Sequence, residues 1–188
     1  CSSDLLDDPV ARHIPEWKDL GVFSAGVGPY LTTPPERPMQ VVDLLRHTSG
    51  LTYGFQNRTN VDAAYRKLKL EAMHGEHDLE GMIQMMAKLP LEFSPGEAWN
   101  YSVATDVCGY LVQKVAGKPL DQVFQERIFD PLKMSETGFF VRGEQKARFT
   151  ACYNAEPGGK TKLQDDPQKS PYLAPPALLS GGGGLVEI

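Results

Sequence analysis

The run Val42-Asp43-Leu44-Leu45-Arg46-His47-Thr48-Ser49-Gly50-Leu51 opens as a helix and closes as a turn. Val41, Val42, Leu44 and Leu45 suit a compact helix over about 39–47. Thr48, Ser49 and Gly50 then form a turn, which the His47 ring is expected to tie down in a structural role. Upstream, Asp8-Pro9 reads as an N-cap and first helical position, opening a short helix that ends before Pro15. Residues 18–38 carry Gly21, Gly26, Gly28, Pro29, Pro34, Pro35 and Pro38, which forbid a long helix or central strand and read as loop.

Downstream the pattern is helical. Asn60 is expected to cap a helix with Val61, Ala64, Tyr65 and Leu68 on one face. Asp78 caps another, with Leu79, Met82, Ile83, Met86 and Leu89 aligned and Pro90 closing it. The strongest helix follows the Ser94-Pro95-Gly96-Glu97 turn. Val103, Val107, Cys108, Leu111, Val112 and Val115 form its stripe, Ser102 is placed to cap it, and Gly117 stands where a left-handed cap is easy. Pro119 starts a last helix, with Leu120, Val123, Phe124 and Ile128 inward, ending at Asp130-Pro131. Beyond 132 the periodicity weakens, and Phe139-Phe140-Val141 and Ala151-Cys152-Tyr153 read as short strands. The fold class is therefore mixed α/β (α+β), mainly helical with few short strands.

Composition narrows the function. With 19 Lys+Arg against 24 Asp+Glu, the net charge of −5 and the lack of a basic cluster argue against a nucleic-acid partner. No apolar run is long enough for a membrane span. Gly (18) and Pro (15) sit at punctuation points, which implies many loops rather than a disordered tract. Cys1, Cys108 and Cys152 show no metal spacing, and Cys108 reads as a small buried hydrophobe. Residues 1–5, Cys1-Ser2-Ser3-Asp4-Leu5, read as a non-native sequencing scar. Residues 6–188 read as part of one domain cut on both sides, the Gly181–Gly184 run standing where a new element should begin.

The nucleophile arrangements fail a direct count: no serine has Lys three positions later, and none is flanked by Gly at −2 and +2. His74 and His77 read as loop histidines, and Asp7-Asp8 and Asp165-Asp166 as caps and turns, so no metal and no cofactor are expected. Tyr101 stands out, because it sits between a tight turn and the strongest helix. A phenol is a poor base near its ordinary pKa of about 10, but beside a Lys ammonium it can take and return a proton near neutral pH. On spacing alone, an aromatic ring packed on the turn explains Tyr101 better than a catalytic role does.

Three stretches together resemble the serine β-lactamase / penicillin-binding-protein-like superfamily, in particular its class C-related, family VIII carboxylesterase branch. They are Leu6-Asp7-Asp8-Pro9-Val10 with Ile14-Pro15-Glu16, the 42–51 run, and Phe93-Ser94-Pro95-Gly96-Glu97 continuing through Tyr101-Ser102 and Gly109-Tyr110 to Ile128-Phe129-Asp130-Pro131-Leu132-Lys133-Met134. Ser180-Gly181-Gly182-Gly183-Gly184-Leu185-Val186 resembles the glycine-rich stretch lining that family's active site. The resemblance implies a β-lactamase/transpeptidase-like fold and an acyl-serine hydrolase. It makes Tyr101 the general base, places Val103, Gly182 and Gly183 in the substrate pocket, and puts the Ser-x-x-Lys nucleophile upstream of residue 6. Val103 stands at the Asn position of the family's Tyr-x-Asn motif, and Val cannot supply that amide.

The expected partner is therefore a small-molecule ester or related amide. The alternatives are a β-lactamase or D-alanyl-D-alanine carboxypeptidase, and a non-catalytic relative that binds peptides or cell-wall fragments. Localisation stays open between a bacterial cytoplasm and periplasm. The 188 residues themselves are expected to be inert and marginally stable, with the Val103/Val107/Leu111 face exposed.

Overall fold

In the computed structural model, residues 4–188 are described. Its centre is a group of short helices whose apolar faces meet: α1 (Asp4–Asp7), α2 (Val41–Leu45), α3 (Asn60–Leu68), α4 (Leu79–Met86), α5 (Ala104–Ala116) and α6 (Leu120–Phe124). Ile14, Leu44, Leu70, Met82, Ile83, Val103, Val107, Tyr110 and Leu120 are all but fully buried between them. Trp17 joins this core and donates its indole N–H to the Ile83 carbonyl at 3.1 Å. Each side chain of this size contributes roughly 1.5–3 kcal/mol on burial, so the helical layers carry most of the stability.

The strands form three separate antiparallel pairs. β1 (Val22–Ala25) pairs with β2 (Leu31–Thr33). The 18–38 region, expected to be loop, therefore holds a hairpin, because Val22-Phe23 and Leu31-Thr32-Thr33 supply enough β-formers around the Gly/Pro turn. β3 (Thr137–Gly138) pairs with β6 (Val186–Glu187), and β4 (Cys152–Glu156) with β5 (Lys160–Asp165). The strand expected at Phe139–Val141 is shifted to Thr137–Gly138, since Phe139 and Val141 are core side chains instead.

Several local expectations change. Asp4 and Leu5, read with the terminal scar, lie in the single turn of α1, while residues 1–3 lie outside the described residues. Asp8 caps no helix; its carboxylate holds Arg12 at 2.9 Å and His13 at 3.2 Å, beside a 3-10 turn over Val10–Arg12. Thr59, not Asn60, caps α3, its hydroxyl accepting the Asp62 N–H at 3.1 Å. Asp78 does cap α4, accepting the Gly81 N–H at 2.8 Å. After α6 the helix widens into a π-turn over Gln125–Phe129 and closes as α7 (Asp130–Leu132). The wider turn advances the buried face by one residue, so Phe129 is buried and Ile128 is 39% exposed.

Along α5 the apolar stripe divides. Val103, Val107 and Leu111 are buried, contrary to the expected exposed face, while Val112 and Val115 point outward. The outward pair borders an apolar groove of about 1070 Å³ with Leu5, Leu6, Leu45 and Cys108. Cys108 is half-buried there, its thiol pushed up to about 11 by burial and then by the Asp106 charge. Gly117 ends α5 at φ 65°, a left-handed conformation that favours glycine.

Candidate active site

The 42–51 run builds the site through its backbone. His47, Thr48 and Gly50 carbonyls accept the N–H groups of Asn100, Gly96 and Glu92 at 2.9, 2.7 and 2.7 Å. The turn is thereby fastened to the 92–100 segment that leads into Tyr101. Asp43 fastens the turn in its own way. Its buried carboxylate accepts both Arg37 N–H groups at 2.7 Å, the Gln40 N–H at 2.9 Å and the Thr48 hydroxyl at 3.1 Å. Burial works to raise its pKa, but the Arg37 bonds and then the Gln40 and Thr48 bonds overcome this, and the carboxyl titrates below its ordinary range.

Asn100 is the polar hub beneath Tyr101. It is buried, and its amide donates to the Leu51 carbonyl and to Glu92, both at 2.9 Å, while its oxygen accepts from Gln56 at 3.2 Å and from Arg58. Gln56 also donates to the Tyr101 carbonyl. The His47 ring, expected to bond the Thr48–Gly50 turn, instead meets the Ser102 hydroxyl at 3.2 Å and packs against Trp99 and Tyr101 at 6.1 and 5.2 Å. Burial lowers its pKa, which favours the neutral ring. Ser102 spends its oxygen on that contact and on the Ala104 N–H at 3.4 Å, so Val103, not Ser102, occupies the N-cap of α5.

Tyr101 itself is 45% exposed at the mouth of an open cleft of about 570 Å³. Its ring leans on Tyr53 at 5.0 Å, and Tyr53 stacks on Phe55 at 4.8 Å. Gly182, Gly183 and Gly184 line the same cleft, so three of the residues singled out in the sequence, Tyr101, Gly182 and Gly183, share one cavity. Val103 does not join them. It is fully buried in the core, because the residue two after Tyr101 already lies on the inner face of α5.

The cleft also holds groups the sequence reading passed over, Tyr53, Glu71 and Asp106, together with Ser180 from the glycine-rich stretch. Asp106 lies in the first turn of α5 and is buried. Burial holds its carboxyl above the ordinary range, against the opposing bonds from Ser180 and Gly182. Glu71 is raised as well, by burial first, against the bond it accepts from the Gly54 N–H, with the Asp106 charge adding to the rise. Tyr53 is pushed upward by burial and then by the Asp106 charge. The available signal was a lone carboxylate three residues after Val103, on the buried face of the most apolar helix. Among the described residues no group of His, Cys, Asp and Glu could hold a metal ion, and no helix is long and apolar enough to cross a membrane.

The family model described as Beta-lactamase matches residues 4–187. The chain belongs to the beta-lactamase family. Protein Rv1367c of Mycobacterium tuberculosis is 34% identical over 181 residues, covering 96% of this chain and 43% of the relative. Esterase EstB of Burkholderia gladioli is 29% identical over 196 residues, covering 96% of this chain and 46% of the relative. Among solved structures, EstCE1, a hydrolase with promiscuous acyltransferase activity, superposes with a TM-score of 0.76 at 28% identity, over 97% of this chain and 48% of that one. This beta-lactamase-family chain thus has the β-lactamase/transpeptidase-like α/β fold and spans less than half the length of these relatives.

Proposed function

We propose that the cleft between Tyr101 and Gly182–Gly184 is part of the active site of a serine hydrolase acting on carboxylic esters. What supports this reading most is that an exposed phenol and a glycine-rich strip line a single open cavity. The nucleophile is a serine of a Ser-x-x-Lys pair outside these 188 residues, since no serine here has Lys three positions later. Its hydroxyl attacks the ester carbonyl carbon while Tyr101, together with the lysine of that pair, takes the proton. The tetrahedral oxyanion collapses, and the Tyr101 phenol returns the proton to the departing alcohol. Water then attacks the acyl-serine by the same route, releasing the carboxylic acid and restoring the serine.

Esters fit the cleft better than β-lactams. Position 103 supplies no amide to a lactam side chain, because Val103 is sunk in the core.

Replacing Tyr101 by Phe in the full-length protein is expected to lower ester turnover by roughly 10²–10⁴-fold, the usual contribution of a positioned acid–base group. Turnover within tenfold of the parent overturns the assignment. Labelling of the parent by a fluorescent penicillin, with weak ester turnover, favours the peptidase or β-lactamase reading instead.

A further inference from the structure

We propose that Asp106 is a positioning residue that latches the glycine strip 180–184 onto α5 and so sets one wall of the cleft. The Ser180 hydroxyl donates to Asp106 Oδ1, and the Gly182 N–H lies 3.3 Å from the same oxygen and 3.2 Å from the Ser180 hydroxyl. One buried carboxylate oxygen therefore gathers two donors from a strip that has little other means of fixing itself.

The glycines allow the approach. A Cβ at Gly181 would lie 2.4 Å from the Thr105 carbonyl oxygen and 3.0 Å from the Cα of Gly109, so strip and helix touch backbone to backbone at that point. A Cβ at Gly182 would lie 2.5 Å from the Thr105 hydroxyl. Four successive glycines lose much conformational entropy on ordering, and a strip without side chains has no apolar anchor of its own. The Asp106 contact supplies the anchor on the α5 side, and Gly184 reaches Met73 on the other.

Ordinary core packing does not account for Asp106. An apolar side chain of that size would fill the space without the desolvation that holds its carboxyl above the ordinary range. What only an oxygen can do there is accept from Ser180 and Gly182. Glu71 and Tyr53 line the same cavity as Asp106, and Cys108 lies two residues on in α5; none of them is a cation that would neutralise the carboxylate.

Amide exchange on the full-length protein tests the latch without requiring catalysis. Asp106→Leu, which keeps the branched shape and removes the acceptor, is expected to speed exchange across 180–184 at least tenfold, leaving α3 and α4 within twofold. Asp106→Asn, which restores a neutral acceptor, is expected to return the strip to within threefold of wild type. Ser180→Ala removes a donor and decides the matter if Asp106→Leu does not fold; it should loosen the strip alone. Unchanged exchange at 180–184, equal acceleration throughout the chain, or failure of Asn to rescue each overturns the proposal.

That the latched strip borders substrate rests on the ester-hydrolase reading. In the full-length protein, Ser180→Ala should lower kcat/KM for a neutral ester at least tenfold. Wild-type levels in Ser180→Ala contradict the positioning role. Absence of turnover in the parent contradicts the hydrolase reading and leaves the exchange result to judge the latch.

Discussion

Asp43 shows how one side chain can hold a motif together. It accepts from Arg37, Gln40 and Thr48 at once, so the helix α2, the following turn and the preceding loop share a single carboxylate. Arg37 is 40% exposed and partly screened, whereas the Asp43 side chain is 4% exposed, so the loss on Asp43→Ala comes mainly from donors left without their acceptor, about 2 kcal/mol. Because the folded pKa of Asp43 lies below the ordinary value of 3.8, its contribution is present above that pH and is lost as pH falls through the lowered value. The gap in urea midpoint between wild type and Asp43→Ala should therefore be full at pH 7 and shrink below about pH 4. A gap that does not narrow there contradicts the account. Asp106, with its pKa displaced upward, runs the other way: the stability its neutral form contributes is present below the ordinary carboxylate value and fades as pH rises through the raised one.

Among the elements, α4 and α5 were legible because each has an apolar face at helical spacing and an unmistakable end, Pro90 after one and Gly117 after the other. The inward face of the last helix was not, because a π-turn changes the phase and Ile128 exchanges places with Phe129. Periodicity arguments assume a constant 3.6 residues per turn and fail where one residue is inserted. The β1–β2 hairpin was hidden by its Gly/Pro content, which marks the turn but leaves three or four strand residues on either side unannounced. At the site, the loop-to-helix junction drew attention to Tyr101, but the role proposed for it, like those of Gly182 and Gly183, came only through resemblance. Glu71 could not be found from the sequence, since its importance comes from Gly54, distant in sequence, and Asp106 left only the sign of a carboxylate on the buried face of an apolar helix, its Ser180 partner being equally distant.

At the scale of the whole molecule, Leu5, Leu6, Leu45, Val112 and Val115 are each at least 40% exposed, and together they wall one groove of about 1070 Å³. Apolar surface gathered in this way, rather than scattered, is the kind that takes up an apolar ligand. The 188-residue chain is accordingly expected to bind a hydrophobic reporter dye at this groove. Val112→Lys with Val115→Glu should reduce dye fluorescence by at least half while leaving the melting temperature within about 4 °C, because both side chains already point outward. Unaltered fluorescence would move the dye site elsewhere.

The same molecule-wide view defines the central claim, that Tyr101 handles the proton for a serine located outside these residues. The most direct measurement is the intact mass of the full-length protein shortly after mixing with an activated acetyl ester. Wild type is expected to gain one acetyl group on a serine followed three positions later by lysine, and Tyr101→Phe to remain unmodified on the same timescale. Acetylation of Tyr101→Phe at the wild-type rate, or a wild-type protein that turns the ester over with no acetyl-serine formed, would contradict the account.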